Sequence, residues 1–273
     1  MTTGLAVIPR LFTSIRQYWL WYALAFGGAA LFLFWPGGFA DKARLLLHGL
    51  CAQTPSHSFT FGGLMLPFDA RMTGIYGGAI FTLLTLAIQG RLLRSGLPPL
   101  RVMFTLAVFV LLMAADGFNS LFTDLGLWHP WESRNELRLV TGYGTGVTLA
   151  VVLAWLVSST TWRLSDRRPV VEATTDIALF WLPFVPFGLA VFSGAAWLYV
   201  PISLMLVLSA WTVLSLLTLS MLLLAFRWDD RIRFARQLHI PGALAGIAGL
   251  AVMLVLAFGR VWLEKVSGIP STL

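Results

Sequence analysis

Residues 201–226 read PISLMLVLSAWTVLSLLTLSMLLLAF, with no Asp, Glu, Lys, Arg or His among them. A helix needs about 20 apolar residues to cross a hydrocarbon core about 30 Å thick, so this stretch is long enough to span a bilayer and has no charged face to offer water. Working outward, comparable apolar runs occupy 18–39, 72–90, 100–118, 139–158, 176–198 and 242–262. Seven spans and their loops use up the chain, which is therefore read as an all-α, polytopic transmembrane bundle. The composition agrees: 58% of residues are hydrophobic, 11% are charged, and the mean hydropathy is +0.81, against about 25% charged residues in soluble domains.

The net charge of +7 and pI near 10.3 do not imply nucleic acid, because the cations lie in short loops beside apolar spans and form no single stripe. They read instead as topology and lipid-headgroup signals. Twelve cations fall at the N-terminus (Arg10, Arg16) and in the loops holding Arg91, Arg94 and Arg101, then Arg163, Arg167 and Arg168, then Arg227, Arg231, Arg233 and Arg236. The remaining seven are Lys42, Arg44, Arg71, Arg134, Arg138, Arg260 and Lys265. The positive-inside tendency places the first set in the cytoplasm, with the N-terminus inside and the C-terminus outside the cell membrane.

The run after Arg10 and Arg16 has no A-x-A-like cleavage site and is read as a retained helix. Residues 8–17 read as an interfacial helix within a segment 1–17. Beyond it, the pattern divides into a motif-bearing region, 18–158, and an apolar anchoring region, 159–273, whose Pro183 and Pro186 are expected to kink the fifth span.

Two spans open alike. One begins Arg71-Met-Thr-Gly-Ile-Tyr-Gly-Gly78 and the other Arg138-Leu-Val-Thr-Gly-Tyr-Gly-Thr-Gly146, each with an Arg, a Thr-Gly and a second Gly one turn later. Paired small residues let membrane helices approach closely, so these two are expected to pack together. Two polar stretches, 48–71 and 116–138, hold three of the four histidines, the single cysteine and, counting Asp41, half of the twelve acids. Both fall on the face opposite the basic loops.

Within them, Asp116 follows the apolar run 102–115 at a depth where an unpaired carboxylate is costly. The expectation is a polar cluster of Asp116, Asn119, Arg71, Asp69 and Arg138, with Asn135 and Thr141 as supporting donors. Simpler readings stand beside it. Asp69 suits a helix N-cap, Ser133-x-x-Glu136 suits a capping box, Arg71 and Arg138 suit snorkelling, and His129 between tryptophans suits an interfacial belt.

The series Cys51-x-Gln53, His57-Ser58-Phe59, Pro67-x-x-Ala70-Arg71-x-Thr73-Gly74-Ile75-Tyr76, Asp116-Gly117 and Asn135-x-Leu137-Arg138-Leu139-x-Thr141-Gly142 resembles a prokaryotic membrane-protein family catalogued as domain of unknown function 2085. The resemblance covers about 45–150 and implies a membrane location without an activity. That family typically shows Cys-His-Gln and Cys-Ala-Arg-Cys where this chain has Ala52, Asp69 and Met72 in place of the His and two Cys. The soft-ligand set implied by the family is therefore broken. A mixed site from Cys51, His48 or His57 and Asp69 stays geometrically open, but no metal or other cofactor is expected, and haem is disfavoured because the histidines lie in loops.

Three functions compete. A non-catalytic membrane subunit or scaffold would use the cluster to hold helices together, with lipids and possible protein partners around it. An outer-face hydrolase or transferase acting on a lipid or lipid-linked substrate would use Asp116 or Asp69 as general base beside Arg71. Arg138, Asn119, Asn135, Thr141, His57 and Gln53 would then bind. A transporter is the third reading.

Overall fold

A computed structural model describes residues 19–162, 166–227, 232 and 235–268. The segment 1–17, with its expected interfacial helix, lies outside the described residues. Among the described residues nine α-helices follow in order: α1 (Trp19–Phe34), α2 (Phe39–Leu47), α3 (Ala70–Ile88), α4 (Leu100–Asp124), α5 (Asn135–Thr161), α6 (Thr174–Trp181), α7 (Phe184–Ser193), α8 (Tyr199–Ala225) and α9 (His239–Ser267). The protein is an all-α polytopic bundle.

Six described segments are long and apolar enough to cross a membrane, with α6 and α7 together forming one of them. Of the first expected span, the described residues form the helix α1 from Trp19 to Phe34, and residue 18 lies outside the described residues. Pro36, Gly37 and Gly38 separate α1 from α2. The break in the fifth span falls where Pro183 was expected to act, between Trp181 and Phe184. There the Tyr143 hydroxyl donates to the Phe180 carbonyl at 2.9 Å, so polar backbone beside the break is satisfied within the protein.

One boundary differs in a way that matters. α4 does not stop near residue 118 but continues to Asp124, so Asp116, Asn119 and Ser120 are helical and buried. Polar side chains normally end an apolar span. Here each finds a partner inside the protein, and the helix can continue.

The most extensive helix contact is between α3 and α5. A Cβ added at Gly74 would collide with the Leu139 carbonyl, and one at Gly142 with the Arg71 carbonyl. Likewise Gly78 lies against the Tyr143 carbonyl and Gly146 against the Ile75 carbonyl. Arg71, Gly74, Ile75 and Gly78 of α3 correspond to Leu139, Gly142, Tyr143 and Gly146 of α5 by a constant shift of 68, so the two helices meet through a local pseudo-two-fold relation. Glycine is required because carbonyl oxygens occupy the space of its missing side chain, an arrangement suited to Cα–H···O contacts and close dispersion.

Other elements pack around this pair. Thr148 Oγ1 on α5 donates to the Leu106 carbonyl of α4 at 3.1 Å, and Ser209 Oγ on α8 donates to the Tyr76 carbonyl of α3 at 2.6 Å. α9 is held to α8 by Trp211 Nε1 donating to the Gly246 carbonyl at 2.8 Å. Short strands close the two ends: β1 (Thr60–Phe61) pairs antiparallel with β2 (Leu64–Met65), and β3 (Arg94–Gly96) pairs parallel with β4 (Asp166–Pro169).

Replacing Gly146 with Ala should destabilise the protein by roughly 1–3 kcal/mol, the scale of overpacking a tight interface. Gly259→Ala, where nothing lies within 4 Å of an added Cβ, should be neutral or slightly stabilising. Thermal unfolding of both variants in the same detergent checks the contrast.

Candidate functional site

The two polar stretches meet at one end of the bundle. Asn135 Nδ2 donates to the Ser56 carbonyl at 3.3 Å, and His57 Nε2 lies 3.3 Å from Asp124 Oδ1. The hairpin formed by β1 and β2, turning through Gly62 and Gly63 at positive φ, lies between His57 and the start of α3.

At the centre is Asp116, only 3% exposed. Its Oδ2 accepts from Arg71 Nη2 at 2.8 Å, joining α4 to α3. Gly117, the next residue, lies beside the Arg71 guanidinium. Arg71 Nη2 also donates to Ser120 Oγ at 3.3 Å, and Arg138 Nε donates to the same oxygen at 3.2 Å. One hydroxyl of α4 therefore stands between the arginines of α3 and α5.

Arg138 is 4% exposed and does not snorkel. Its Nη1 donates to Asn135 Oδ1 at 2.8 Å and its Nη2 to Ser133 Oγ at 2.7 Å. Ser133 and Ser120 are themselves 2.8 Å apart. Asn119 donates to the Trp131 carbonyl at 2.9 Å and accepts from the Trp131 amide at 3.3 Å, pinning the α4–α5 loop to α4. Within this cluster two buried atoms, Asp116 Oδ1 and Arg71 Nε, have no hydrogen-bond partner among the described residues.

The structure thus gathers Asp116, Arg71, Arg138, Asn119 and Asn135, adding Ser120, Ser133 and Trp131. Two expected members do not join. Asp69 caps α3 instead, accepting from the Met72 amide at 2.8 Å. Thr141 donates back to the Leu137 carbonyl of its own helix at 2.8 Å and is no donor to the cluster. The capping box at Ser133 does not form either. Arg134 occupies the N-cap position without a side-chain capping bond, and the Ser133 hydroxyl is committed to Arg138 and Ser120.

Gln53 belongs to a second cluster. It is fully buried, at φ 54, a left-handed conformation uncommon for a residue with a side chain. Three hydrogen bonds hold it there. Its Nε2 donates to the carbonyls of Arg44 and Pro67, each at 2.8 Å, and its Oε1 lies 3.1 Å from His48 Nδ1. His48 Nε2 in turn lies 3.0 Å from Glu264 Oε2, near the end of α9. Arg260 Nε donates to Glu264 Oε1 at 2.8 Å, and its Nη1 donates to the carbonyls of His48 and Cys51. Sequence reasoning missed Arg260 and Glu264, whose i, i+4 spacing on an otherwise apolar helix was the available signal.

Cys51 Sγ accepts from the amides of Gln53 and Asp69, both at 3.3 Å. Burial, with the Asp69 charge adding to it, pushes the thiol up to about 12. Neither histidine turns toward this sulfur: His48 faces Gln53 and Glu264, and His57 faces Asp124. The mixed metal site left open by the sequence is not assembled, and no cluster of three or more His, Cys, Asp or Glu that could hold a metal occurs among the described residues.

Residues 51–152 match the family model described as Predicted membrane protein (DUF2085). An uncharacterized protein of Methanothermobacter thermautotrophicus is 34% identical over 103 residues, a match covering 38% of this chain and 83% of that protein. No solved structure matches the chain significantly. The match takes in the whole Arg71–Asp116–Arg138 cluster but ends well before Arg260 and Glu264.

Moving the Cys51 thiol from 9.0 to about 12 leaves a thiolate fraction about 10³ lower at neutral pH, and the thiolate is the reactive form. Alkylation of the folded protein should therefore be at least about a hundredfold slower than after denaturation at the same pH. Mass spectrometry of labelled protein checks this.

Proposed function

The chain belongs to the predicted membrane protein family DUF2085, and from that premise we propose that it is a non-catalytic membrane subunit or scaffold built on a polar cluster joining three helices. The observation that carries this reading is the inward use of the cluster's hydrogen bonds. Asp116 binds Arg71, while Arg138 binds Ser120, Ser133 and Asn135. A general base must reach a proton on its substrate, and Asp116 is 3% exposed with one oxygen already taken. Such a network suits holding α3, α4 and α5 in register. Residues 18–158 then form the framework and 159–273 the anchoring region.

The cluster's end of the bundle is assigned to the extracytoplasmic side of the cell membrane, because the opposite loops carry the larger share of cations. α4 is the least buried spanning helix. Its Leu100, Phe104, Leu111, Phe118 and Leu121 are exposed and meet acyl chains or, in a membrane complex, the apolar face of a protein partner.

A second reading, an outer-face enzyme acting on a lipid or lipid-linked substrate, draws on Asp116 Oδ1, which is buried without a hydrogen-bond partner among the described residues. The two readings separate experimentally. Breaking a buried ion pair costs about 3–5 kcal/mol, so Arg71→Gln or Asp116→Asn should lower Tm and reduce membrane abundance several-fold, with any co-purifying partner lost in proportion. If either variant accumulates and melts like the wild type while a cellular phenotype disappears, the scaffold reading fails and the enzyme reading gains. Reporter fusions at residues 62 and 126 should score outside and one at residue 94 inside. The reverse pattern overturns the assigned orientation.

A further inference from the structure

His48 is completely buried, and both of its ring nitrogens face oxygens. The identity of those oxygens fixes the protons. Gln53 presents one end of its amide to two main-chain carbonyls, Arg44 and Pro67. Carbonyls only accept, so that end is the NH2 group and the end facing His48 Nδ1 is the carbonyl oxygen. Nδ1 must therefore carry a hydrogen.

On the other side, Glu264 Oε1 accepts from Arg260 Nε, and Oε2 faces His48 Nε2 at 3.0 Å. With Nδ1 protonated, a neutral imidazole would aim its Nε2 lone pair at a carboxylate oxygen. The contact becomes a hydrogen bond only when one further proton lies between Nε2 and Oε2, whether it is bound to the ring or to the carboxyl. A neutral His48 with an ionised Glu264 is one proton short of this geometry.

The contact bridges distant parts of the chain. Arg260 and Glu264 lie on α9, while His48, Cys51 and Gln53 form the turn after α2. Arg260 reinforces the junction by donating to the carbonyls of His48 and Cys51. Both partners of the contact lie outside the matched segment 51–152, so this is a feature of the longer chain.

We propose that the His48–Glu264 contact is a proton-binding site that latches the last membrane helix to the turn carrying Cys51 and Gln53, closed with the bridging proton in place and released when that proton leaves to water. The charged and titratable groups on the elements packed against it are Arg260 and Lys265 on α9, Asp41, Lys42 and Arg44 on α2, Cys51 and Asp69 in the following loop, and Tyr199 on α8, which interacts with Arg44 and Asp41. Arg260 donates to Glu264 Oε1 and holds the carboxylate in place. Because closing takes up a proton, the latch is favoured at low pH and weakens as pH rises. This inference is independent of the scaffold reading.

Glu264→Gln provides a specific test. A glutamine oxygen can still accept from Arg260, and its NH2 can donate to a neutral His48, so the altered latch needs no bridging proton. In that variant, protonation of His48 opposes closure. The sole cysteine of the chain lies in the latched turn, where its carbonyl accepts from Arg260, and its thiol reports on the latch. Alkylation of Cys51 is followed in the full-length protein in lipid nanodiscs from about pH 6 to about pH 9, a range that brackets ordinary histidine titration. The intrinsic pH dependence of the thiol is common to both proteins and cancels in the ratio of their rates.

The wild-type rate divided by the Glu264→Gln rate should rise at least about tenfold across this range. A flat or falling ratio overturns the proposal. If the variant does not fold, hydrogen exchange of wild-type amides in 239–267, corrected for intrinsic chemical exchange, decides instead. Protection that declines with pH supports the latch, and protection that does not decline refutes it.

Discussion

The carbonyl oxygens of Arg71 and Ile75 rest where side chains would be on Gly142 and Gly146, and those of Leu139 and Tyr143 do the same at Gly74 and Gly78. Everything at the polar end of the bundle depends on that backbone approach. In lipid there is no hydrophobic drive to bring two helices together, so association relies on close packing and interhelical polar contacts. Glycine at four matched positions supplies the first. The approach also places Arg71 and Arg138 near each other at the mouths of parallel helices, and α4 enters with Asp116 and Ser120 at the level of both guanidinium groups.

A charged group at this depth is costly alone. The structure meets that cost by sharing. Asp116 neutralises Arg71, and the neutral oxygens of Ser120, Ser133 and Asn135 take donors of Arg138. The same economy recurs at the second cluster, where Arg260, Glu264, His48 and Gln53 form a continuous chain of hydrogen bonds from α9 to the loop before α3. These two networks add charged and polar ties to helices that also meet through apolar packing, glycine–carbonyl contacts and single side-chain-to-backbone hydrogen bonds.

Much of this was legible from residue pattern. The spans follow from apolar length, the break at Pro183 from the missing backbone donor, and the α3–α5 contact from the repeated Thr-Gly and second glycine. The Asp116–Arg71 pair follows from the cost of a lone carboxylate next to an apolar run. What escaped were properties fixed only by the third dimension. α4 extends past Asn119 because its polar side chains find internal partners. Ser133 abandons a local cap for Arg138, Thr141 bonds to its own helix, and Asp69 is absorbed as a helix cap. Glu264 and His48 stand 216 residues apart in the chain, so no local spacing announces their contact.

The dependence of the cluster on helix approach can be measured by a double-mutant cycle between Gly142→Ala and Asp116→Asn, using reversible unfolding in mixed micelles. Gly142 touches the backbone of Arg71 but not Asp116, so separated effects should add to within about 0.5 kcal/mol if the contact and the ion pair are unrelated. If the glycine contact positions Arg71 for Asp116, the alanine already displaces the guanidinium, and the second substitution should cost at least about 1 kcal/mol less than it does alone. Additive losses would contradict the account.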